Sequence, residues 1–264
     1  MELIGYLGAI LMGISLGLIG GGGSILTVPV LVYLFNTEAE LATAYSLFIV
    51  GLTSLVGSIS HMRMGNIDFR TALVFGIPSI ISVYVTRKFV MPAIPQHLFT
   101  VGEFEMTKAV GLLLLFAVIM LLASYSMIRP QHVKTSESPK GYNYPLILVE
   151  GSVVGLVTGL VGAGGGFLII PALVLLAGLE MKKAVGTSLI IIATKSLIGF
   201  TGDMQGDLVI DWELLFNFSA IAIAGIILGS LLSKRISNEK LKPAFGWFVL
   251  VMGVYIIIKE TVLH

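Results

Sequence analysis

The sequence predicts an all-α integral membrane protein made of two tandem repeats of about four spans each, the first helix of each repeat broken at a Gly-rich loop. Composition is the first reason. Of 264 residues, 56% are hydrophobic and 12% charged, against about 25% charged in soluble domains, and mean hydropathy is +0.99. Repetition is the second. Residues 17–34 (GLIGGGGSILTVPVLVYL) return 142 positions later as residues 159–176 (GLVGAGGGFLIIPALVLL). At that offset, residues 17–57 and 159–199 share 18 identities in 41 ungapped positions, among them Gly20/Gly162, Gly22/Gly164, Gly23/Gly165, Pro29/Pro171, Ser46/Ser188 and Ser54/Ser196. The two repeats are read as residues 1–128 and 145–264, with a linker at 129–144.

Apolar runs long enough to cross a hydrocarbon core recur along the whole chain, so none of it is left over for a soluble domain. The first run is preceded by Glu2 and by no Lys or Arg. It lacks the cationic start of a signal peptide and is read as part of the mature fold. Cysteine is absent, which excludes disulfides, thiolate metal sites and a cysteine nucleophile and leaves the redox compartment open. A net charge of +1 gives no nucleic-acid footprint. The lipid bilayer is the partner that the composition demands.

Residues 3–19 are apolar, 20–24 read GGGGS, and 25–35 are apolar again. A continuous helix over that length would be roughly 50 Å, against about 30 Å of hydrocarbon, so the segment must break, tilt or turn back. The glycines place the break at 20–24, and Pro29 then falls in the first turns of the second piece, where a missing N–H does little harm. Spans follow at 42–60 and 69–90, the latter ending at Arg87 and Lys88. Pro92 and Pro95 open a loop carrying Glu103 and Glu105, and a further span covers 108–128. Residues 129–143 (RPQHVKTSESPKGYN) are the least hydrophobic stretch and form the linker. The plan then repeats: a broken segment at 145–176 around residues 163–166, and spans at 184–200, 212–232 and 243–258. The loop GNIDF at 65–69 is echoed by GDLVIDW at 206–212.

Two G-x-x-G-x-G-G-x-x-x-x-x-P elements, each followed by a Ser-containing span and a G-x-x-D-aromatic loop, resemble the sulfite exporter TauE/SafE family over essentially the whole chain. The resemblance implies a secondary transporter of small anions, sulfite, organosulfonates or related sulfur oxyanions, in a bacterial or archaeal cytoplasmic (inner) membrane. Members differ in substrate. The residues point the same way on their own terms. Broken helices at matching positions of two repeats mark a transporter's binding site, because unwound backbone at membrane depth is tolerated where it lines a cavity or packs within protein. Both breaks feed a helix N-terminus, near Ile25 and Phe167, whose free N–H groups and positive dipole end favour an anion.

The candidate substrate-binding residues are therefore Gly20, Gly21, Gly22, Gly23 and Ser24 in the first break and Gly162, Ala163, Gly164, Gly165 and Gly166 in the second. Close helix packing is the alternative for the glycines, and it suits Gly13/Gly17 and Gly155/Gly159 better than ligand contact. Neither break carries the Lys-Ser/Thr ending of a phosphate loop. Lys195 is the one ionisable residue well inside a predicted span, and its first-repeat equivalent is Thr53. An intramembrane charge is costly unless paired or facing water. Lys195 is accordingly read as an anion contact, with a snorkelling or structurally paired lysine as the alternative. Ser46, Ser54, Thr187, Ser188 and Ser196 could donate to an oxyanion or bond carbonyls of their own helices. The pairing of Ser46 with Ser188 favours these two. Trp212 and Trp247 read as interfacial residues, His61 as interfacial in preference to a proton relay, Glu150 as interfacial or functional alike, and Asp68 and Asp211 as helix N-caps.

Single crossings of both broken segments would give eight spans, with 6 and 9 Lys and Arg in the loops of the two faces. Hairpins returning to their starting face give 4 and 11, a clearer positive-inside bias, inverted repeats and both ends outside the cytoplasm. No ATP-binding motif, cofactor or metal cluster is expected. No span holds two carboxylates, or a Ser with a His, so an enzyme is not expected either. An anion channel, or a permease for another small organic solute, is the nearest alternative to a transporter. One chain is large enough to enclose a site, and a homodimer is compatible with that.

Overall fold

A computed structural model describes residues 2–101, 104–128, 144–175, 177–205, 209–232 and 238–262. The expected linker, all but its last residue, lies outside the described residues, as do Glu103 and the start of GDLVIDW.

Helix α1 (Glu2–Ile19) ends at Gly20, whose φ of +79° turns the chain into a 3-10 helix (Gly21–Leu26) and then α2 (Thr27–Leu34). The small side of α1 receives α2: the Phe35 ring covers Gly5, and a Cβ on Gly8 would stand 3.1 Å from Val30. Residue numbers rise along one helix as they fall along the other, so α2 lies back along α1. Next come α3 (Ala39–Arg63) and α4 (Phe69–Val85), which continues through a π turn (Thr86–Val90) into α5 (Met91–Ala93). Asp68 caps α4 by accepting the Thr71 amide at 2.8 Å, as the sequence predicts.

The chain departs here from the all-α expectation. Residues after Pro92 and Pro95 form an antiparallel hairpin, β1 (His97–Val101) with β2 (Phe104–Thr107). Pro95, just past the end of α5, bars the helix from continuing, and Phe99, Thr100 and Val101 are residues that favour extended backbone. The remaining elements are α6 (Lys108–Ile128), α7 (Tyr144–Val161), α8 (Gly166–Leu175), α9 (Met181–Asp203), α10 (Trp212–Leu232) and α11 (Asn238–Val262). Asp211 caps α10 through the Leu214 amide at 3.0 Å.

Five helical stretches among the described residues, 39–63, 69–93, 108–125, 181–203 and 212–232, are long and apolar enough to cross a membrane, and 4–19, 23–34 and 145–161 are shorter apolar helices. Their outward sides carry large apolar groups: Leu11, Leu73, Ile81, Leu122 and Val251 are all more than half exposed, as a lipid-facing surface requires.

Helices α3 and α9 are the centre, each 72% buried over its most apolar window against 33% for the α4–α5 stretch and 39% for α10. They run antiparallel: a Cβ on Gly51 would meet Leu197, one on Gly57 Leu189, and one on Gly186 His61. Packing around them is reciprocal. α1 lies on α10 and α7 on α4, while α4 flanks α9 and α10 flanks α3. The contacts are backbone to backbone. Gly13 and Gly17 press on Ala222 and Ile226, Gly225 and Gly229 on Ile10 and Ile14, and Gly151 and Gly155 on the carbonyls of Phe75 and Ser79. Small residues permit this approach, and without a hydrophobic drive between helices in lipid it is a principal source of their cohesion. A side chain on Gly229 would strike the Ile14 backbone, which no rotamer change relieves. Gly229→Val is therefore expected to destabilise by about 1–3 kcal/mol, read as a lower melting temperature of the detergent-solubilised protein, with outward-facing Val251→Ala nearly neutral.

Candidate functional site

Lys195 is fully buried. Its Nζ donates to Thr158 Oγ1 at 2.8 Å, and no carboxylate among the described residues lies within ion-pair distance of it. A Cβ on Gly165 would stand 3.0 Å from the same Nζ. Gly165 is where α8 starts, its carbonyl accepting the amides of Leu168 and Ile169 at 3.0 Å each. The ammonium thus sits at the N-terminus of a ten-residue helix, where aligned peptide dipoles present a second positive end. Two like-signed ends held together in a buried interior are the electrostatic complement of an anion.

The backbone at this point is one that glycine alone adopts readily. Gly162, Gly164 and Gly165 have φ of +74°, +64° and +73°, a region that costs other residues roughly 1–2 kcal/mol each. Gly162 donates its amide to the Thr158 carbonyl at 2.9 Å, closing α7, and Gly165 donates to the Ala163 carbonyl at 2.7 Å. The two breaks meet: a Cβ on Gly164 would touch Ser24 of the first break at 3.4 Å, between Val50 of α3 and Ile192 of α9. Ser24 and Ala163 are buried there, and Gly166 opens α8. Gly20 and Gly162 lie at the flanks, Gly20 against Val185 and Ile170, Gly162 against the backbone of Thr43. Gly21 and Gly22 belong to the 3-10 helix, and Gly23 packs on Met12, Ser15 and Leu16 of α1.

On α3, Thr43, Ser46 and Val50 are three and four apart and share a face, and the outer two meet Gly162 and Gly164. Ser46 between them is buried, its Oγ without a partner among the described residues. The same holds for the Oγ atoms of Ser54 and Ser196. Ser188 occupies the matching face of α9, but its hydroxyl donates to the Val185 carbonyl at 2.8 Å. Thr187 is not with the breaks. Its Oγ1 accepts the Asp68 amide at 2.9 Å and ties α9 to the start of α4. Thr53, the counterpart of Lys195, donates to the Ile49 carbonyl at 2.6 Å, so the charge belongs to the second break alone.

Three further residues stand in the site, and sequence reading passes over them. Thr158 has Leu16 as its first-repeat equivalent and Lys195 has Thr53, so two positions at which the repeats differ, 158 and 195, are bonded to each other. Arg87, expected at the end of a span, is instead carried inward by the π turn and buried. Its Nη1 donates to Thr43 Oγ1 at 3.0 Å and lies 3.5 Å from Asp203 Oδ1. The sequence holds one clue: Phe89, Val90 and Met91 prolong the apolar run beyond Arg87 and Lys88. Among the described residues no group of three His, Asp or Glu side chains is set to hold a metal ion.

The class that this fold and site define is a polytopic helical membrane protein with a buried cation at a glycine break. The chain belongs to the sulfite exporter TauE/SafE family, which matches residues 6–256. It is 31% identical to a "Probable membrane transporter protein" of Xylella fastidiosa (strain 9a5c), across 94% of this chain and 91% of that one. Proteins of the same description in Bacillus subtilis (strain 168) and Methanocaldococcus jannaschii are 26% and 25% identical, each across 94% of this chain and 96% and 92% of their own. No solved structure matches the chain. Membrane transport is the activity this kinship supports.

Proposed function

We propose that the protein is a secondary transporter of small anions, with sulfite and related sulfur oxyanions as its substrates and export as its direction, working by alternating access around Lys195 and the paired breaks. The observation that carries this is the Lys195 ammonium at the N-terminus of α8 without a carboxylate partner among the described residues. An anion lodged between them answers both positive ends. The free hydroxyls of Ser46 and Ser196 are donors suited to an ion with several oxygens. Lys195, Ser46 and Ser24 have no exposure to solvent, so an anion reaches them only when the helices move. That favours a transport cycle over an open channel.

The proposal includes two inverted repeats, with α1–α2 and α7–α8 as re-entrant hairpins in a bacterial or archaeal cytoplasmic membrane. The return of α2 along α1 supports it, and so does the antiparallel run of α3 and α9. If each broken segment crossed once, α3 and α9 would be parallel, and the ends of α4 and α9 would lie on opposite faces. Instead they share the Arg87–Asp203 and Tyr84–Gln205 contacts, as the ends of α2 and α11 share Tyr33–Glu260 at 3.0 Å. With Arg87 buried, the Lys and Arg of the two faces number 3 and 11, and the richer face is cytoplasmic. The site lies within one chain, so each protomer transports by itself.

The test is thermal stability of the purified protein with sulfite, sulfate, thiosulfate, taurine, lactate and chloride, followed by flux into proteoliposomes. A ligand bound only by the folded state stabilises by about 2.7 kcal/mol at a hundred times its Kd. Selective stabilisation by sulfite with saturable flux is expected. Flux that rises linearly without saturation would make the protein a channel, and no response to any of these anions would remove the anion site.

A further inference from the structure

Arg87 offers what Lys195 does not, a planar donor fork with one edge unused. Among the described residues only Nη1 is engaged. Nε and Nη2 are buried and have no partner among the described residues, and neither has Asp203 Oδ2. The edge formed by Nε and Nη2 presents two parallel N–H groups at the spacing of two oxygens on one oxyanion. Donors left unmatched in a protein interior are expensive and call for an explanation.

The backbone is arranged to put this edge where it is. The π turn at Thr86–Val90 redirects the Arg87 side chain, a device common at functional positions, and Gly202 of α9 leaves room for it, since a Cβ there would stand 3.1 Å from the Arg87 Cβ. The ion pair with Asp203, at 3.5 Å, restrains the guanidinium through Nη1 without covering the other edge. Thr43 joins this group to the breaks, because its hydroxyl takes the Nη1 donor while its backbone presses on Gly162. The other charges nearby answer each other: Lys108 Nζ meets Glu40 Oε1 at 2.7 Å, one turn before Thr43.

We propose that Arg87 is a second oxyanion-binding residue, its Nε–Nη2 edge receiving the anion at the Thr43 end of the second break. This rests on the reading of Lys195 as the anion's first contact. The second break then lies between two cations, Lys195 at Gly165 and Arg87 joined to Gly162 through Thr43. An anion moving from one to the other meets a guanidinium already held by Asp203. Its arrival on the other edge puts a second negative charge beside that carboxylate, whose repulsion loosens the pair, and its departure restores it. Arg87 and Asp203 thereby act as a reversible closure at that end of the path.

Sulfite titration of the purified full-length protein by calorimetry tests this, on wild type, Lys195→Met, Arg87→Lys and Asp203→Asn. Arg87→Lys keeps the charge and loses the fork, and is expected to weaken sulfite binding about tenfold. Asp203→Asn removes the neighbouring negative charge and is expected to tighten it. A purely structural ion pair would make both variants less stable and leave both affinities alone, which overturns the proposal. Loss of binding in Lys195→Met together with wild-type affinity in Arg87→Lys would overturn it too while leaving the Lys195 reading intact. Absence of sulfite binding to wild type would remove both. Should the Arg87 and Asp203 variants not fold, the wild type labelled with [15N]arginine decides. Of its five arginines, the one whose Nε–H is protected from solvent exchange shifts when sulfite is added, and an unmoved signal refutes the assignment.

Discussion

Lys195→Met is expected to abolish sulfite binding and transport while leaving the unliganded protein as stable as wild type or more so. The two side chains are of similar length and unbranched, so the packing around position 195 survives. What disappears is an ammonium with one hydrogen bond among the described residues, to Thr158, in a fully buried place. Removing such a charge relieves its desolvation penalty, and apolar replacement of buried charges is often neutral or stabilising. Thr158 does not become an orphan, because its hydroxyl also bonds the Gly155 carbonyl at 3.3 Å. The anion, by contrast, loses its principal charge contact, and truncating one member of a buried charge pair costs about 2–5 kcal/mol. Binding weaker by roughly two orders of magnitude or more follows from that. Melting curves with and without sulfite separate the two effects. A variant that melts at or above wild type and no longer responds to sulfite is the expected result. A response equal to that of wild type would mean that the anion sits elsewhere.

The residues that could be read from the sequence are those whose signal is local. Hydropathy gives the helices, and the duplicated GLIGGGGS and GLVGAGGG give the breaks. Lys195 stands out because a charge in the middle of an apolar run is conspicuous, and the short polar residues before Phe69 and Trp212 announce the caps at Asp68 and Asp211. Arg87 is illegible for the converse reason. Its inward direction depends on a π turn, and a search for periods of 3.6 or 2 residues has no way to see an extra residue in one turn. Thr187 and Ser188 show the limit of proximity in sequence. Neighbours on a helix point about 100° apart, so Ser188 shares the break-facing side of α9 while Thr187 turns to Asp68. Thr43 and Thr158 are recognisable only once Arg87 and Lys195 are placed against them, because a hydroxyl in a membrane helix ordinarily bonds its own carbonyls. The hairpin at β1 and β2 escapes because strands of five and four residues are too short for alternation to be distinguished from a loop.

Gly165→Ala is expected to remove both stability and sulfite binding, and comparison with Gly178→Ala separates the causes. Both glycines have positive φ, +73° and +64°, so both variants carry the left-handed strain of roughly 1–2 kcal/mol. Around Gly178 a Cβ meets nothing within 4 Å, and strain is all that it adds. At Gly165 the new methyl overlaps Thr158 Cγ2 and comes within 3.0 Å of Lys195 Nζ. Thr158 must rotate to escape, which takes its hydroxyl from Lys195, and the methyl then occupies the approach between the ammonium and the start of α8. Overpacking adds about 1–3 kcal/mol to the strain, so the total loss is about 2–5 kcal/mol. Thermal melts of the two variants measure the difference, and sulfite titration measures the site. Gly178→Ala should melt slightly early and bind as wild type does, whereas Gly165→Ala should melt much earlier and not bind. If the two variants lost the same stability and both bound sulfite normally, Gly165 would be a turn residue and nothing more, and the space beside Lys195 would not be where the anion sits.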